Sequence, residues 1–434
     1  MENKMERNDE RYQTYLRILK RELVKAMGCT EPIAIAYAAA KARSVLGDIP
    51  DRIVIAASGN IIKNVKSVIV PNSGGRKGIP VAAALGVLGG DEDAELLVIA
   101  NITDAVKEEL PIYRENTDIS VEVLDSEALL DVEITVFKGT SSAMVHIVNE
   151  HTNIVCIEKD GEIIVKKDAL SEEDNALNIE TQKEYERLTV ADIYDFATTC
   201  DLNDVEEVLN TQIVCNTAIA EEGLANEWGA CIGQNLINNN ENSTKTKARA
   251  MAAAGSDARM SGCEMPVIIN SGSGNQGLTA SLPVIVYARE TGASHEKLLR
   301  GLLISNLVTI HAKTGIGRLS AYCGAITAGA AAGAGVAYIC GGDKKTISHT
   351  IVNALAITSG IVCDGAKPSC AAKIAVAVEA GIMGYEMYKE GRQFYAGEGL
   401  VLKGVENSIR NFGYLGRVAM SETNKEICNM MVQC

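Results

Sequence analysis

Between Ala321 and Gly342 the chain reads AYCGAITAGAAAGAGVAYICGG, without a single charged residue. A stretch so long and so neutral has to be hidden, either in a bilayer or inside a protein. Its side chains are mostly Ala and Gly, which gain little by leaving water, and no aromatic or basic flanks frame it as a membrane anchor. The reading that fits is a helix buried at the centre of a helical core. The wider composition agrees, since aromatic residues make up only 4% of the 434-residue chain while glycines number 39. Small residues at helix contacts let such a chain pack closely without large side chains.

Apolar residues make up 47% of the sequence and charged ones 22%, the balance of a folded globular protein, with enough length for two or three domains. Lys and Arg number 41 against 56 Asp and Glu, a formal net charge of −15 at pH 7. A field of that sign opposes nucleic acid and anionic membrane surfaces, so neither is expected as a partner. A local basic site can still hold a small carboxylate or phosphate. The opening segment, MENKMERNDERYQTYLRILKREL, is charged and lacks the apolar core of a secretory signal, so a cytoplasmic protein is expected. Twelve cysteines in such a chain do not read as a disulfide framework. Most are expected to be small buried hydrophobes, and the question is which few carry chemistry.

The periodicities predict an α+β protein with a large helical domain and a smaller α+β domain. Residues 1–48 read as an N-terminal helical pair packing on the helical domain. Tyr15, Leu16, Ile18, Leu19, Leu23 and Val24 fall at helical spacing, and an Ala-rich helix follows the break at Gly28–Pro32, with Thr30 as its expected N-cap. Residues 49–170 read as the α+β domain, its sheet largely antiparallel. The expected strands include Arg52–Ala57, Val65–Val70, Ile119–Leu124, Asp131–Lys138, Ala143–Asn149, Ile154–Glu158 and Ile163–Lys167. A polar, acidic linker is expected over 171–187. The helical domain covers 188–434, with helices such as Val190–Thr199, Asp204–Asn235, Tyr322–Ile339 and Cys370–Lys389.

Cys363-Asp-Gly-Ala-Lys-Pro-Ser-Cys370 puts one cysteine at the expected end of a helix and another at the start of the next. A helix N-terminus lowers a thiol's pKa, which prepares Cys370 to be a thiolate, the form that binds metal. With Cys323 upstream, three thiolates at helix ends suit an iron–sulfur cluster with one iron left open. Three buried structural cysteines would show the same spacing, because Cys-x6-Cys is not the tight spacing of fully ligated clusters. Zinc is a weaker rival, since no Cys-x2-Cys or His-x3-His pair occurs. Cys29, just ahead of Thr30, is either an activated thiol or an inert residue of the helix start.

Two loops, Pro71–Gly78 and Asn270–Gly277, can each turn several N–H groups toward an anion, and the second leads into a helix. Neither matches the phosphate-binding Gly-x4-Gly-Lys-Ser/Thr, so an amino-acid carboxylate is the better-sized guest; either loop alone also reads as a plain connection. His311 and His349 fall in apolar helical segments and read as core residues. No Lys stands in a setting that suggests a pyridoxal Schiff base.

Together, Gly28-Cys29-Thr30-Glu31-Pro32, the Asn72–Gly78 loop, Ser271–Gly277 and the Cys323/Cys363/Cys370 triple resemble the L-cysteine desulfidase family, which is related to the α-chain of iron–sulfur L-serine dehydratases. The resemblance spans nearly the whole chain. It implies a lyase that converts L-cysteine and water to pyruvate, ammonia and sulfide, using an oxygen-sensitive 4Fe-4S cluster and no pyridoxal phosphate (PLP). It implies Cys323, Cys363 and Cys370 as ligands, one iron without a cysteine, and Cys29 as the base. Substrate binding is expected from Asn72, Arg76, Lys77, Ser271, Ser273, Asn275 and Gln276. Cys434 is a candidate ligand of the open iron in the resting enzyme, as a C-terminal cysteine is in the related bacterial serine dehydratases, or else a disordered chain end. A homodimer is expected, since Gly/Ala-rich helices suit close helical pairing. The competing readings are an iron–sulfur L-serine dehydratase and, from another class, a non-catalytic iron–sulfur or cysteine-sensing protein.

Overall fold

The computed structural model describes residues 5–126, 128–167, 180–317 and 319–432. Helix α1 (Glu10–Glu22) starts where the Asp9 carboxylate accepts from the Arg11 N–H, and buries the stripe Tyr12, Tyr15, Ile18 and Leu19. After β1 (Lys25–Met27) comes α2 (Thr30–Leu46), buried on nearly every side and stopped by Gly47 at a φ of 85°. Next come β2 (Arg52–Ala57), α3 (Gly59–Val65), α4 (Ile79–Gly89) and α5 (Asp104–Asn116). Strands β3 (Asp118–Val123), β4 (Asp131–Lys138), β5 (Ser141–Val148), β6 (Ile154–Lys159) and β7 (Glu162–Lys166) complete this half.

Six strands lie in the order β3-β2-β4-β5-β6-β7, and only the β2/β3 pair is parallel. Alternate residues such as Ile53 and Ile55 on β2, and Val132, Ile134 and Val136 on β4, form one core with α2 and α4. A Cβ at Gly86 would fall closer than 3.0 Å to the Ala36 carbonyl oxygen, so glycine is what lets α4 lie against α2.

The second half is helical: α6 (Val190–Thr199), α7 (Glu206–Ala225), α8 (Ile232–Asn239), α9 (Thr244–Met260), then strand β8 (Pro266–Ile268) and α10 (Gly274–Glu290). It continues through α11 (His295–Thr314), α12 (Gly324–Ile339), α13 (Lys344–Thr358), α14 (Cys370–Lys389), α15 (Val405–Tyr414) and α16 (Ser421–Val432). The uncharged segment is α12, packed by α10, α11, α13 and α14 as its composition requires. Cβ atoms at Gly329 and Gly333 would collide with the carbonyl oxygens of Ala377 and Gly381 on α14. No helix among the described residues is long and apolar enough to cross a membrane.

The α+β architecture matches the expectation, but several elements differ from it. The N-terminal helices part company. Amphipathic α1 needs one apolar face covered and joins the helical core, with Tyr12 and Tyr15 edge-on to Phe196 at 5.1 and 5.3 Å; α2, apolar on every side from Ile33 to Ala40, is sunk in the sheet core. Within the expected linker, residues 180–186 are helical, and Glu184 accepts from Arg17 (2.6 Å) and Arg21 (3.1 Å). The linker's earlier part lies outside the described residues.

Val65–Val70 forms no strand, because both edges of β2 are already taken by β3 and β4; Ile69 bridges only Lys77. The expected Asp204–Asn235 helix is interrupted between α7 and α8, where Gly229 and Cys231 take φ values of 58° and 49°. Thr30 does not cap α2. That place is held by Cys29, and the Thr30 hydroxyl instead donates to the Gly272 carbonyl at 3.0 Å. Strands β1 and β8 pair antiparallel, Met27 opposite Pro266, which ties the segment before Cys29 to the segment before Ser271.

Candidate functional site

Four thiols meet at one place. Cys29, Cys323, Cys363 and Cys370 all line a buried cavity of about 110 Å³ where the sheet-bearing half meets the helical half. An isolated antiparallel bridge between Tyr322 and Val362 sets Cys323 beside Cys363. The Cys323 N–H donates to the Ile361 carbonyl (3.3 Å) and the Cys363 N–H to the Ala321 carbonyl (2.6 Å). Cys323 immediately precedes α12, and Cys370 is the first residue of α14.

The loop between Cys363 and Cys370 is held against α3. Gly365 takes a φ of 89°, and a Cβ there would collide with the Lys63 carbonyl oxygen. Lys367 and Lys373 both pair with Asp364, and Lys373 also donates to the Val362 carbonyl at 2.8 Å. Burial pushes the Asp364 carboxyl up, but the two lysines overcome it and hold the group at about 2.

Burial pushes the Cys323 and Cys370 thiols up, and Cys363 pushes both further, while Lys373 opposes. The helix start expected to ready Cys370 as a thiolate is therefore outweighed by desolvation. A positive group bound between these sulfurs would add to Lys373 in favouring their charged form.

Cys29 sits at the start of α2, with its sulfur donating to Glu31 Oε2 at 3.0 Å. Burial, then the Glu31 carboxylate, pushes its thiol well above the ordinary range, with Arg259 pulling the other way. Of the two readings left open for Cys29, the helix start alone does not supply an activated thiol. Burial also works against the Glu31 charge, yet His151, Cys29 and Arg259 hold its carboxyl below the usual range. Asn64 donates to Glu31 Oε1 at 3.0 Å. The Cys29 proton is thus held on a hydrogen bond to a group that remains a carboxylate.

Of the expected substrate-binding residues, Ser271, Ser273, Asn275 and Gln276 line the cavity. Their turn rests on buried amides: Asn270 donates to Asn306 Oδ1 (3.0 Å), and Asn306 donates to Gln212 (2.7 Å). Asn72, Arg76 and Lys77 do not line it. Asn72 donates to the Ile99 carbonyl at 2.7 Å, tying the loop to the segment before α5, and Arg76 donates to the Ser73 carbonyl at 2.6 Å within the loop. What this loop supplies is Pro71, packed so tightly on Gly28 that a Cβ at Gly28 has no room; the turn before Cys29 is held in this way.

Glu31, Lys63, Asn64, His151 and Arg259 also line the cavity, and sequence reasoning assigned none of them a role. His311 and His349 lie elsewhere, one paired with Glu406 at 2.7 Å and the other stacked on Tyr388. Cys434 lies outside the described residues. A larger cavity of about 970 Å³ adjoins the site at Ser271, Lys313, Leu319 and Ser320, and is flanked by Asn424 and Cys428 of α16.

No three His, Cys, Asp or Glu side chains among the described residues are close enough together to share one metal ion. An iron–sulfur cluster takes each thiolate on a separate iron and so needs the wider spacing of three sulfurs around a cavity. The donor set fits that group.

A family model described as serine dehydratase alpha chain matches residues 113–429. The chain is 57% identical over 431 residues to a UPF0597 protein of Desulfitobacterium hafniense, covering 99% of each. It is 47% identical over 423 residues to a UPF0597 protein of Finegoldia magna, covering 97% of this chain and all of the relative. A UPF0597 protein of Lachnoclostridium phytofermentans is 46% identical over 421 residues, with 97% of this chain and 100% of the relative covered.

Proposed function

The chain belongs to the serine dehydratase alpha chain family, which points to an iron–sulfur lyase, and from that premise we propose that it cleaves L-cysteine to pyruvate, ammonia and sulfide. Cys323, Cys363 and Cys370 hold a 4Fe-4S cluster in this reading, and Cys29 is the base. One observation carries it: Cys29 and the three expected ligands share one small buried cavity with the Ser271–Gln276 turn.

When bound, the cluster supplies Lewis acidity at an iron without a cysteine, where a leaving sulfur's charge is accommodated. The chain's own residues do the rest. The Ser271–Gln276 turn orients the amino acid so that its Cα–H faces Cys29. The reacting form of Cys29 is the thiolate, which Arg259 favours, and the Glu31 carboxylate accepts the hydrogen bond of the thiol that forms when the Cα proton arrives. As the Cα proton passes to the Cys29 sulfur, its electron pair forms a Cα=Cβ bond, and the Cβ–S pair leaves with sulfur. Aminoacrylate tautomerises to an imine, which water converts to pyruvate and ammonia. No pyridoxal phosphate takes part in this sequence.

The test uses protein prepared without oxygen, following sulfide and pyruvate release from L-cysteine. Cys29→Ser is expected to keep the cluster's absorbance while turnover falls by about 10²–10⁴, the range for a lost general base. A fully active variant eliminates Cys29 from that role. The family description itself favours a second reading, in which L-serine is the substrate and hydroxide leaves. Comparing kcat/KM on the two amino acids separates these, and pyruvate from neither would favour a non-catalytic binding protein.

A further inference from the structure

A buried cation stands in the wall of the cavity. Arg259, next to last in α9, is 2% exposed. Its Nη1 donates to Asn275 Oδ1 at 3.1 Å, while its Nε has no hydrogen-bond partner among the described residues. Taking a guanidinium out of water is costly unless an anion compensates it; Cys29 and Glu31 favour its charge, but Glu31 also accepts from Cys29 and Asn64, and the Arg259 Nε stays without a partner among the described residues.

The guanidinium lies against the N-terminus of α10. A Cβ on Gly274 would collide with Arg259 Nε, so the first residue of that helix has to be glycine for the arginine to sit there. Helix α10 runs for 17 residues, and Ser273 makes no side-chain capping bond to its first turn. Gln276, 4% exposed, also has its Oε1 unpartnered among the described residues; turning the amide over would present its two N–H donors instead. A forked cation, a helix start without a side-chain cap and an unpaired amide therefore border one small cavity, the donor set that a carboxylate requires.

We propose that Arg259, with the first turn of α10, binds the α-carboxylate of the amino-acid substrate and selects for it. The proposal rests on reading the cavity as an amino-acid lyase site, and it adds a specificity-determining residue to that reading. A substrate held there by its carboxylate is fixed at one end while its Cα approaches Cys29, which borders the same cavity.

Thermal shift of anaerobically prepared protein tests this without turnover, using L-alanine and L-alaninamide as probes. L-alanine is expected to raise the melting midpoint of the wild type, and the amide to leave it unchanged. Arg259→Gln should lose the L-alanine shift, keep its iron content, and raise KM for L-cysteine about ten- to a hundredfold, with a smaller change in kcat. Arg259→Lys should recover part of the affinity, since charge is kept but the fork is lost. Gly274→Ala leaves the arginine in the chain but crowds its place, and should show the same loss; it carries the test if the Arg259 variants fail to fold.

An unaltered L-alanine shift in Arg259→Gln, an equal shift with the amide, or no shift with L-alanine in the wild type would overturn the assignment. So would loss of iron with unchanged KM, which would make Arg259 a counter-charge to the thiolates only. If the wild type forms neither sulfide nor pyruvate while the L-alanine shift still depends on Arg259, the lyase reading fails and the carboxylate site stands. If turnover is present and KM does not depend on Arg259, the reverse holds.

Discussion

Gly365→Ala is the substitution whose effect follows most directly from the backbone. Gly365 lies between Cys363 and Cys370 with a φ of 89°, and its missing side chain is the space occupied by the Lys63 carbonyl oxygen of α3. A non-glycine residue in the left-handed region costs about 1–2 kcal/mol. Forcing a methyl against backbone that cannot yield adds about 1–3 kcal/mol. The sum, about 2–5 kcal/mol, is relieved only if the loop withdraws from α3 and carries the flanking cysteines with it. At about 1.4 kcal/mol per factor of ten, the native loop is depleted roughly thirtyfold to a few thousandfold. The assay is iron and acid-labile sulfide per chain after preparation without oxygen, with far-UV circular dichroism to show that the helices persist. Gly360→Ala is the control, since Gly360 belongs to the same segment, has no positive φ and has nothing within 4 Å of an added Cβ. Cluster loading should collapse in Gly365→Ala and hold in Gly360→Ala. Wild-type loading in Gly365→Ala would refute the claim that this loop carries two of the ligands.

Gly381→Ala should lower the thermal midpoint of the whole chain, because its Cβ would strike the Gly329 carbonyl oxygen where α12 and α14 cross; an unchanged melting curve would show that the helices can slide apart cheaply. Asp364 is held at about 2 in the fold against an ordinary 3.8, so its contribution to stability is present above that ordinary value and drains away as pH falls toward about 2. Denaturation midpoints of wild type and Asp364→Asn should therefore converge on acidification, and a constant gap would contradict the lysine pairing. For cluster-free protein, the Cys29 thiol is raised above its ordinary 9.0, so its contribution is complete below that value and is lost as pH rises beyond it. Cys29→Ala should flatten that alkaline loss, measured as urea midpoints across the same range.

What the sequence makes legible depends on whether a pattern is local. The α12 segment is readable because neutrality and small side chains leave a buried helix as the only economical outcome, and β4 is readable because Asp131–Lys138 alternates cleanly. Val65–Val70 carries the same β-branched signal, but strand pairing needs a free edge, and β2 has none. The cysteines of the cavity show in the sequence through their chemistry. Arg259 does not, because a basic residue in the last turn of a helix is ordinarily a solvated one that favours the helix dipole, and only the packing of α9 against the start of α10 buries it. Glu31 and His151 are silent too, because they lie more than a hundred residues apart in sequence and only the packing of α2 on the sheet brings them to one cavity. The Asn72–Gly78 loop misleads in the opposite sense. It has the composition of an anion nest, yet Asn72 donates to Ile99 and Arg76 to the loop's own turn, away from the cavity.

The most direct measurement is iron and acid-labile sulfide in protein purified without oxygen, beside sulfide release from L-cysteine, for the wild type and for a variant with Cys323, Cys363 and Cys370 all replaced by Ala. The wild type is expected to hold about four of each per chain and to release sulfide, and the variant to hold none and to be inactive. A colourless, iron-free wild type that still releases sulfide, or a variant that keeps its iron, would contradict the account.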